Sequence, residues 1–361
     1  SQITSISDEL LQHWTEMKML LEGYLLLASA PQMNKSSTYL SRLNNNLIEC
    51  TTEKMPFLTI ITQPNEIGIS SFQDKIRVLN GATRPLLLQV TGNDGNVYKQ
   101  IIKGNKDDLR QDAVMQQLFV LSSKLLSKKN PTLSIRYYKV IPLSPKAGVI
   151  QFVGRSTSLS DFLFNFSLSK KEESGAYFRY YGEEKFHRLQ HAITGFSQLS
   201  SSYHKNPMKN NEDKLELFKM FLKLKRKIKP VFHFFFIEKF PNPGDWFVSR
   251  LRYSRHTATN SIVGHILGIG DRHLSNIMID QVTGEIVHID LGVAFDQGKA
   301  LPIPENVPFR LTNEIVDGMG WMGKEGVFRK TCEESMAVLR NDQEYLLTVL
   351  NVFLSDPLYR W

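Results

Sequence analysis

The spacing of apolar residues changes at about Val153, and this change limits the folds open to the chain. From Pro56 to Ile102, short apolar runs are separated by turn residues such as Asn93-Asp94-Gly95, which is typical of antiparallel strands. An apolar stripe from Val114 to Leu125 then predicts a helix, and residues 135–141 predict a further strand ended by Pro142.

Beyond Val153 the apolar spacing is mainly helical, and two short strands are predicted at 277–280 and 286–289. We therefore expect an α+β, bilobal fold, with a small antiparallel β-sheet lobe over 56–150 and a larger, mostly helical lobe over 151–361. An additional helix is predicted over residues 1–30. Its apolar stripe needs a partner surface and comprises Leu10, Trp14, Met17, Leu21 and Tyr24.

The composition excludes several classes of protein. No apolar run approaches the ~18–20 residues of a membrane helix. Only Cys50 and Cys332 are present, which excludes a disulfide framework and favours a reducing compartment. The net charge of +8 is partly concentrated between Lys214 and Lys229, where either a solvated helix face or a nucleic-acid-binding face would explain it.

A group of polar residues near Gly270 has the spacing of a phosphoryl-transfer site. Asp271 and Asn276 lie five positions apart, and Asp290 follows a predicted hairpin, as in protein-kinase catalytic loops. In such a site Asp271 orients the attacking hydroxyl and accepts its proton, while Asn276 and Asp290 hold magnesium. Each residue alone is more readily explained as part of a turn or as the cap of a strand. Their combination with Gly292 favours the catalytic interpretation.

Lys103 ends the predicted strand 97–102, where a protein kinase carries the lysine that contacts the ATP phosphates. Any of three acids that follow, Asp107, Asp108 or Asp112, could pair with its ammonium group. The alternative is a surface lysine beside surface acids. The nearby loop from Asn80 to Pro85 contains a single glycine and is a poor match to a glycine-rich phosphate loop.

Two histidines, His273 and His288, flank the proposed catalytic acids. Either could donate a hydrogen bond to a developing anion or move a proton, and either could be structural. Metal ligation by these residues is disfavoured because magnesium prefers oxygen ligands.

Several motifs together resemble the phosphatidylinositol 3-kinase-related protein kinases, and within them the ATM-type checkpoint kinases. They are Lys103-Gly104 with the acidic run 107–112, Gly270-Asp271-Arg272-His273 with Asn276, His288-Ile289-Asp290-Leu291-Gly292, and Pro308-Phe309-Arg310-Leu311-Thr312. The match extends from about residue 56 to Trp361. It implies a bilobal, protein-kinase-like fold of the phosphatidylinositol 3- and 4-kinase type. It also implies a serine/threonine protein kinase that uses ATP and Mg²⁺, with Mn²⁺ as an alternative metal.

The resemblance also implies roles for individual residues. By position, Lys103 contacts the ATP phosphates with Asp107 or Asp112 as its acidic partner, Asp271 is the base, His273 lies near the transferred phosphate, and Asn276 and Asp290 bind magnesium. The implied nucleotide pocket comprises a triphosphate loop of Ala82, Thr83, Arg84, Pro85 and Leu86, then Tyr138, and a hinge of Gln151, Phe152 and Val153.

Two departures from the family pattern affect this pocket. Phe152 occupies a place where the family often has Trp, and we expect it to stack on adenine with a smaller ring. One extra residue separates Lys103 from the Asp107-Asp108 pair, which leaves the acidic partner open.

For the remainder of the chain the resemblance implies the end of a preceding FAT-type helical region over 1–55, a hinge near 150–154, a catalytic loop over 268–276 and an activation loop over 290–312. It implies protein substrates phosphorylated on Ser or Thr followed by Gln, in nuclear DNA-damage checkpoint signalling and telomere maintenance. It further implies a homodimer formed largely outside this chain, recruitment to DNA ends by an adaptor complex, and no membrane association. Because the family's short C-terminal segment does not follow Trp361, we expect this fragment to be inactive alone.

A phosphoinositide lipid kinase of the same superfamily and a catalytically silent scaffold are the alternatives. Residues 293–312 contain Lys299 and Arg310 against Asp296 and Glu305, a balance of zero, whereas an anionic headgroup favours a basic loop. This favours a protein hydroxyl as acceptor. The intact set of Lys103, Asp271, Asn276 and Asp290 argues against a scaffold.

Overall fold

The structure, a computed structural model, describes residues 2–30, 36–55, 58–63, 67–79, 83–104, 108–165, 174–205, 211–295, 297–301 and 304–355. Its larger sheet is antiparallel, with the order β1-β3-β4-β5-β7-β6 and with β2 paired to β4. The strands are β1 (Ser37–Tyr39), β2 (Ile69–Phe72), β3 (Lys75–Val78), β4 (Leu86–Gly92), β5 (Val97–Gly104), β6 (Val140–Ser144) and β7 (Ala147–Gln151).

A second, smaller antiparallel sheet has the order β10-β9-β8 and contains the predicted hairpin. Its strands are β8 (Ser156–Ser158), β9 (Ile277–Asp280) and β10 (Ile286–His288). The turn between β9 and β10 contains Gly284, whose φ of 75° is readily adopted only by glycine. The hairpin predicted from the sequence is therefore confirmed.

Helices supply most of the remaining structure, and the predicted α+β class is confirmed. Within the described ranges, no helix combines the length and apolar character needed to cross a bilayer. The helices are α1 (Gln2–Ala28), α2 (Leu40–Leu43), α3 (Asn45–Ile48), α4 (Leu109–Lys129), α5 (Leu159–Phe164), α6 (Ala176–Tyr181), α7 (Glu183–Lys205), α8 (Asn211–Lys227), α9 (His233–Lys239), α10 (Pro243–Ile266), α11 (Asn313–Gly318), α12 (Val327–Asn341) and α13 (Gln343–Ser355).

Three hydrophobic clusters hold these elements together. One lies between the larger sheet and α1, and another lies among α5, α6, α9 and α10. The third joins α4 to α10, α12 and α13 through residues such as Leu118, Val263 and Leu339. Because α4 also packs against β6, it connects the larger sheet to the helical part of the chain.

The apolar stripe predicted along α1 is covered by the described residues of this chain only in its C-terminal half. Leu10 and Trp14 are 64% and 62% exposed, whereas Leu20, Tyr24 and Leu27 are buried against the sheet. The helix extends beyond the surface that it covers, so its helical period alone could not show where packing begins. The basic segment predicted near 214–229 forms α8, and whether it binds an anionic partner stays a prediction.

Two predicted strands differ from the observed ones. Residues 58–61 make only an isolated bridge, Thr59 with Gly68, and 56–57 lie outside the described residues. The strand predicted over 135–141 is displaced to β6 and includes Pro142, which was predicted to end it. Proline is tolerated there because β6 is an edge strand, where not every backbone N–H needs a partner.

Two polar stretches of the sequence, 167–174 and 200–211, predict surface loops. The second prediction is partly wrong, because α7 continues to Lys205. The first stretch falls almost entirely outside the described residues.

Helix α1 is fixed directly to β5, the strand that carries Lys103. The hydroxyl of Tyr24 donates to Gln100 Oε1 at 2.6 Å, and Gln100 Nε2 donates to Thr62 Oγ1 at 3.1 Å, all in a buried setting. At the end of the strand, a Cβ atom on Gly104 would lie 1.9 Å from the carbonyl oxygen of Ala28. Only glycine permits this close approach between helix and strand.

We predict that Gly104→Ala separates α1 from β5, because the added methyl group must displace the backbone of Ala28. Overpacking of this kind costs about 1–3 kcal/mol, so amide hydrogen exchange across 97–104 should accelerate by about tenfold or more. Exchange is measured by mass spectrometry on the full-length protein. Gly195→Ala is the matched control, because its Cβ would meet no atom within 4 Å. Unchanged exchange in Gly104→Ala would contradict the described packing.

Candidate active site

A cleft of about 220 Å³ lies between the larger sheet and the β9–β10 hairpin. Its apolar walls come from Leu79, Ile101 and Ile150 on the sheet side and from Met278 and Ile289 on the hairpin side. None of these five residues was assigned to the nucleotide pocket from the sequence, because their apolar side chains look like ordinary core residues. A cleft with apolar walls and a few polar groups is typical of a small-molecule site.

The other residues that line the cleft were predicted from the sequence. Its lining includes Pro85, Lys103, Asp112, Tyr138, Gln151, Phe152, Val153 and Asp290. Leu86, in contrast, is buried in the core of the larger sheet. Thr83 and Arg84 lie in the preceding loop and do not line the cleft, and Ala82 is outside the described residues.

The hinge segment follows β7 and is held by backbone hydrogen bonds. Phe152 N donates to the carbonyl of Lys99 at 3.1 Å, and the ammonium group of Lys99 lies 5.6 Å from the centre of the Phe152 ring. The side-chain oxygen of Gln151 accepts from Lys139 N. Because Phe152 N is already bonded within the protein, it is not available to a nucleotide base. Stacking of its ring on adenine stays a prediction.

Lys103 projects from β5 toward Asp290, and its Nζ atom lies 3.5 Å from Asp290 Oδ1. The lysine side chain is 16% exposed and the aspartate side chain 50% exposed, so the pair faces the cleft. Lys103 on the larger sheet and Asp290 after the hairpin thus bring opposite charges together in the cleft.

Asp112 on α4 is the acid most closely coupled to this pair. It is buried, and its Oδ1 atom accepts a hydrogen bond from Leu291 N at 2.5 Å. Burial and the nearby charge of Asp290 raise the pKa of Asp112 to about 6, while the positive charge of Lys103 opposes that rise. The charges of both Lys103 and Asp290 therefore affect the pKa of Asp112.

The other two candidate acids differ from Asp112. Asp108 caps the N-terminus of α4 by accepting from Arg110 N, and its carboxylate also pairs with the Arg110 guanidinium at 2.6 Å. This pairing lowers the pKa of Asp108. Asp107 lies outside the described residues. The geometry therefore favours Asp112 as the acidic partner of Lys103, although its role stays a prediction.

The loop after α10 presents Asp271 and Asn276. Asn276 Nδ2 donates to the carbonyl of Asp271 at 3.0 Å, which leaves the amide oxygen of Asn276 as an acceptor. The carbonyl of Asn276 accepts from Ile289 N at 3.0 Å, so the loop is bonded to the chain beside Asp290. Asp271 and Asp290 both have a φ of 57°, a left-handed conformation that is uncommon outside glycine and often marks functional sites.

Arg272 holds these two segments together. Its buried guanidinium donates to the carbonyls of Gly270 at 2.8 Å and Ile289 at 2.7 Å, and also to that of Asp290. One side chain therefore fixes the backbone on both sides of the proposed site. The sequence motif contained Arg272, but its spacing gave no indication of this role.

Glu305 is a second residue whose role the sequence did not reveal, since it entered only the charge balance. Its Oε1 atom accepts from Asp271 N at 3.0 Å, and its backbone N donates to the carbonyl of Gly298. A Cβ atom on Gly270 would lie 2.8 Å from Glu305 Oε2 and 3.0 Å from the Cα of Gly298. Glycine at 270 allows the segment after Asp290 to pack on the catalytic loop.

The two histidines have different surroundings. His273 is exposed, and its backbone N donates to the carbonyl of Asp271 at 3.0 Å. Burial lowers the pKa of His288 to about 3, and the charge of Arg272 adds to that effect. His288 is therefore neutral at physiological pH. Its Nδ1 atom has no hydrogen-bond partner among the described residues.

The donor set fits a divalent metal bound together with a nucleotide. Asn276 offers an amide oxygen and Asp290 a carboxylate, both of which are hard ligands. Within the part of the chain that the structure describes, no group of three or more His, Cys, Asp or Glu could hold a metal ion by itself. Two protein ligands, completed by phosphate and water, are the arrangement that magnesium commonly takes.

Comparison with known sequences identifies the family of this site. The profile of the family described as phosphatidylinositol 3- and 4-kinase matches residues 99–361, which include Lys103, Asp271 and Asp290. The chain belongs to this family. A kinase domain of this family uses ATP with a divalent metal, and the family relationship predicted from the motifs is confirmed.

Relatives of this kinase chain include ATM and Tel1 proteins. The serine/threonine-protein kinase ATM of Arabidopsis thaliana is 40% identical over 363 residues, covering 96% of this chain and 9% of that protein. The serine/threonine-protein kinase TEL1 of Saccharomyces cerevisiae is 45% identical over 285 residues, covering 78% of this chain and 9% of that protein. The chain thus spans about a tenth of the length of these curated relatives.

Solved structures of Tel1 have the same fold as this kinase chain. The FAT and kinase domain of CtTel1 aligns with a TM-score of 0.81 and 34% identity, covering 96% of this chain and 24% of that one. A Tel1 kinase described as a butterfly symmetric dimer aligns with a TM-score of 0.77 and 37% identity, covering 97% of this chain and 15% of that one. The predicted kinase-type α+β fold is confirmed.

We predict that Glu305→Ala lowers the rate of phosphoryl transfer by about 10- to 100-fold, because the backbone N–H of the strained Asp271 loses its acceptor. The KM for ATP should change little, since Glu305 does not line the nucleotide cleft. Glu305→Gln should retain more activity, because an amide oxygen can still accept. Steady-state kinetics of the full-length kinase provide the measurement. Equal rates for Glu305→Ala and the parent would show that this contact does not support Asp271.

Proposed function

We propose that this chain is the catalytic domain of a serine/threonine protein kinase that transfers the terminal phosphoryl group of ATP to a Ser or Thr hydroxyl followed by Gln. The observation that carries the proposal is the ion pair of Lys103 with Asp290, whose charged atoms lie 3.5 Å apart. Arg272, on the catalytic loop, donates to the carbonyls of Ile289 and Asp290 and so fixes the loop beside this pair. The printed names of the ATM and TEL1 relatives give the same enzyme class.

In this mechanism the residues mainly position the reactants and neutralise charge. The ammonium group of Lys103 contacts the nucleotide phosphates, while Asn276 and Asp290 are the residues that hold Mg²⁺. When bound, the metal supplies positive charge that offsets the charge developing on the phosphates. The apolar walls of the cleft hold the adenine ring between the sheet and the hairpin.

We assign Asp271 the role of acting on the acceptor. Its carboxylate orients the Ser or Thr hydroxyl and accepts the proton as the new O–P bond forms. The bond between the terminal phosphorus and the bridging oxygen breaks at the same time, and ADP leaves with that electron pair. We assign His273, exposed on the same loop, a position near the transferred phosphate.

The segment 293–312 supports a protein acceptor over an inositol lipid. Its two basic and two acidic residues give no excess positive charge. Arg310 lies close enough to Glu305 for their charges to interact. An anionic headgroup at this position would lack the cations that normally attract it.

The wider biological role follows from the relatives and is also a proposal. We infer a nuclear kinase of DNA-damage checkpoint signalling and telomere maintenance, recruited to DNA ends by an adaptor complex. A solved relative is described as the complete CtTel1 dimer with C2 symmetry, which supports a homodimer formed largely through regions outside this chain. Residues 1–55 would be the end of the helical region preceding the kinase lobes, 56–150 and 151–361.

In the test, the full-length protein is incubated with labelled ATP and with each of three acceptors in turn. The acceptors are a Ser-Gln peptide, its Ala-Gln counterpart and phosphoinositide vesicles. We expect label in the Ser-Gln peptide, and a loss of about 10²-fold or more in Asp271→Asn, because the substituted amide cannot accept the proton. Asp245→Asn, an exposed substitution at the start of α10, is the matched control.

Two results would contradict this function. Label found mainly in lipid would identify a phosphoinositide kinase. A Ser-Gln rate in Asp271→Asn equal to that of the parent would exclude the role assigned to Asp271.

A further inference from the structure

The segment 134–138 crosses from the end of α4 to the start of β6 and directs alternate side chains toward the helical part of the chain. Ser134 Oγ lies 3.3 Å from His256 Nε2 on α10. Arg136 forms an ion pair with Asp280 at the end of β9, and the hydroxyl of Tyr138 accepts from Asp290 N at 3.2 Å. Alternation is expected of an extended chain, whose successive side chains point to opposite sides.

The opposite side of this segment is anchored in the third hydrophobic cluster. Leu133 and Ile135 are buried there with residues of α4, such as Phe119. The hydroxyl of Ser123 on α4 also accepts from Ile135 N at 3.1 Å. The segment is therefore fixed to α4, the helix that carries Asp112, while its polar side chains reach the hairpin.

Asp280 connects the β9–β10 hairpin to the segment 134–138 through its ion pair with Arg136. It is fully buried, and its Oδ1 atom accepts from Val282 N at 2.8 Å and Thr283 N at 2.9 Å. Burial raises the pKa of Asp280, but the hydrogen bonds from Arg136 and these two amides outweigh burial, so the pKa lies below its ordinary value. A buried carboxylate that stays ionised needs a cation, and Arg136 provides it.

Glu285 extends this ion pair to α10. Its carboxylate oxygens lie 3.7 Å from Arg136 Nη1, 3.9 Å from Arg252 Nε and 3.8 Å from His256 Nε2. A Cβ atom on Gly284 would lie 2.8 Å from the carbonyl oxygen of Ser249, so the turn rests directly on α10. The turn is thus held between α10 and the segment 134–138.

The two open ends of the same hairpin carry the proposed metal ligands. Asn276 immediately precedes β9, and Asp290 follows β10 by two residues. The strands are only four and three residues long, so a displacement of the turn must move both ends. Arg136 forms an ion pair with Asp280 beside the turn, and Tyr138, two residues later in the chain, contacts Asp290 itself.

We propose that Arg136 is a positioning residue for the metal site. Through Asp280 and Glu285 it sets where Asn276 and Asp290 lie relative to Lys103 and Asp112. This inference rests on the metal site of the proposed function. It states that the ion pair of Arg136 with Asp280, at the turn of the hairpin, supports that site. The residue itself contacts neither metal nor nucleotide.

The test measures Mn²⁺ binding to the full-length protein in the presence of ADP, by electron paramagnetic resonance, alongside ADP binding without metal. Because supporting residues typically alter metal affinity by 10- to 100-fold, Arg136→Met should weaken Mn²⁺ binding by about tenfold or more. ADP binding without metal should stay within about twofold, since Arg136 does not line the cleft. Arg136→Lys should be intermediate, because one ammonium group cannot bridge both acids equally well.

Hydrogen exchange of the amides from 277 to 290 provides a second readout that does not depend on activity or metal. It should accelerate in Arg136→Met and remain at the parental rate in Arg188→Met. Arg188 pairs with Glu184 on the surface of α7 and is the matched control. Glu285→Gln removes the negative charge that faces Arg136 but keeps the shape of the side chain, and it should also weaken Mn²⁺ binding. This variant replaces Arg136→Met in the test if Arg136→Met fails to fold.

The outcomes separate this inference from the proposed function. Parental Mn²⁺ affinity in folded Arg136→Met would overturn the inference, even if hairpin exchange increased, because the ion pair would then be only structural. If Arg136→Met does not fold, parental affinity in both Arg136→Lys and Glu285→Gln would overturn it. Asp290→Asn is the reference: undiminished Mn²⁺ binding in that variant would instead refute the metal site itself.

Discussion

The proposed site depends on one buried cation. The guanidinium of Arg272 donates to the carbonyls of Gly270, Ile289 and Asp290, which belong to two segments about twenty residues apart in the chain. A guanidinium in this position needs several acceptors to replace water, and the three carbonyls supply them. The segments before Asp271 and around Asp290 are therefore held by a single group.

Around Arg272 the backbone adopts conformations that would be unfavourable elsewhere. Asp271 and Asp290 are both left-handed, a state that costs a non-glycine residue free energy unless its surroundings enforce it. Glu305 accepts from the N–H of Asp271, and Tyr138 accepts from that of Asp290. Asp271 and Asp290 are thus restrained through their main chains, and the carboxylate of Asp290 in addition pairs with Lys103.

The parts of the fold that supply the site are connected by direct contacts. Helix α1 packs on β5 beside Lys103 through the close approach of Gly104 to Ala28. Helix α4 joins the sheet to α12 and α13 and carries Asp112, whose pKa is raised by burial and by the charge of Asp290. The ion pair of Arg136 with Asp280 adds a polar link between the end of α4 and the hairpin. Movement of any of these elements would alter the distance between Lys103 and Asp290.

The sequence alone determined the features that depend on neighbours along the chain. The helical period predicted α4, and the turn around Gly284 predicted the β9–β10 hairpin. The spacing of Asp271, Asn276 and Asp290 led to the proposed chemistry, because loop and hairpin lengths limit which side chains can meet. These features need only local geometry, which is encoded within about twenty residues.

The tertiary structure decided what depends on distant partners. Leu10 and Trp14 are exposed although they continue an apolar period, because burial depends on which part of a helix meets another element. Pro142 lies inside β6 because that strand is at the edge of the sheet. Neither Glu305 nor Arg136 has a local pattern that indicates its partner, since Asp271 and Asp280 are brought to them only by folding. Periodicity and spacing specify elements and motifs, whereas burial and ion pairing depend on contacts between residues that are remote in sequence.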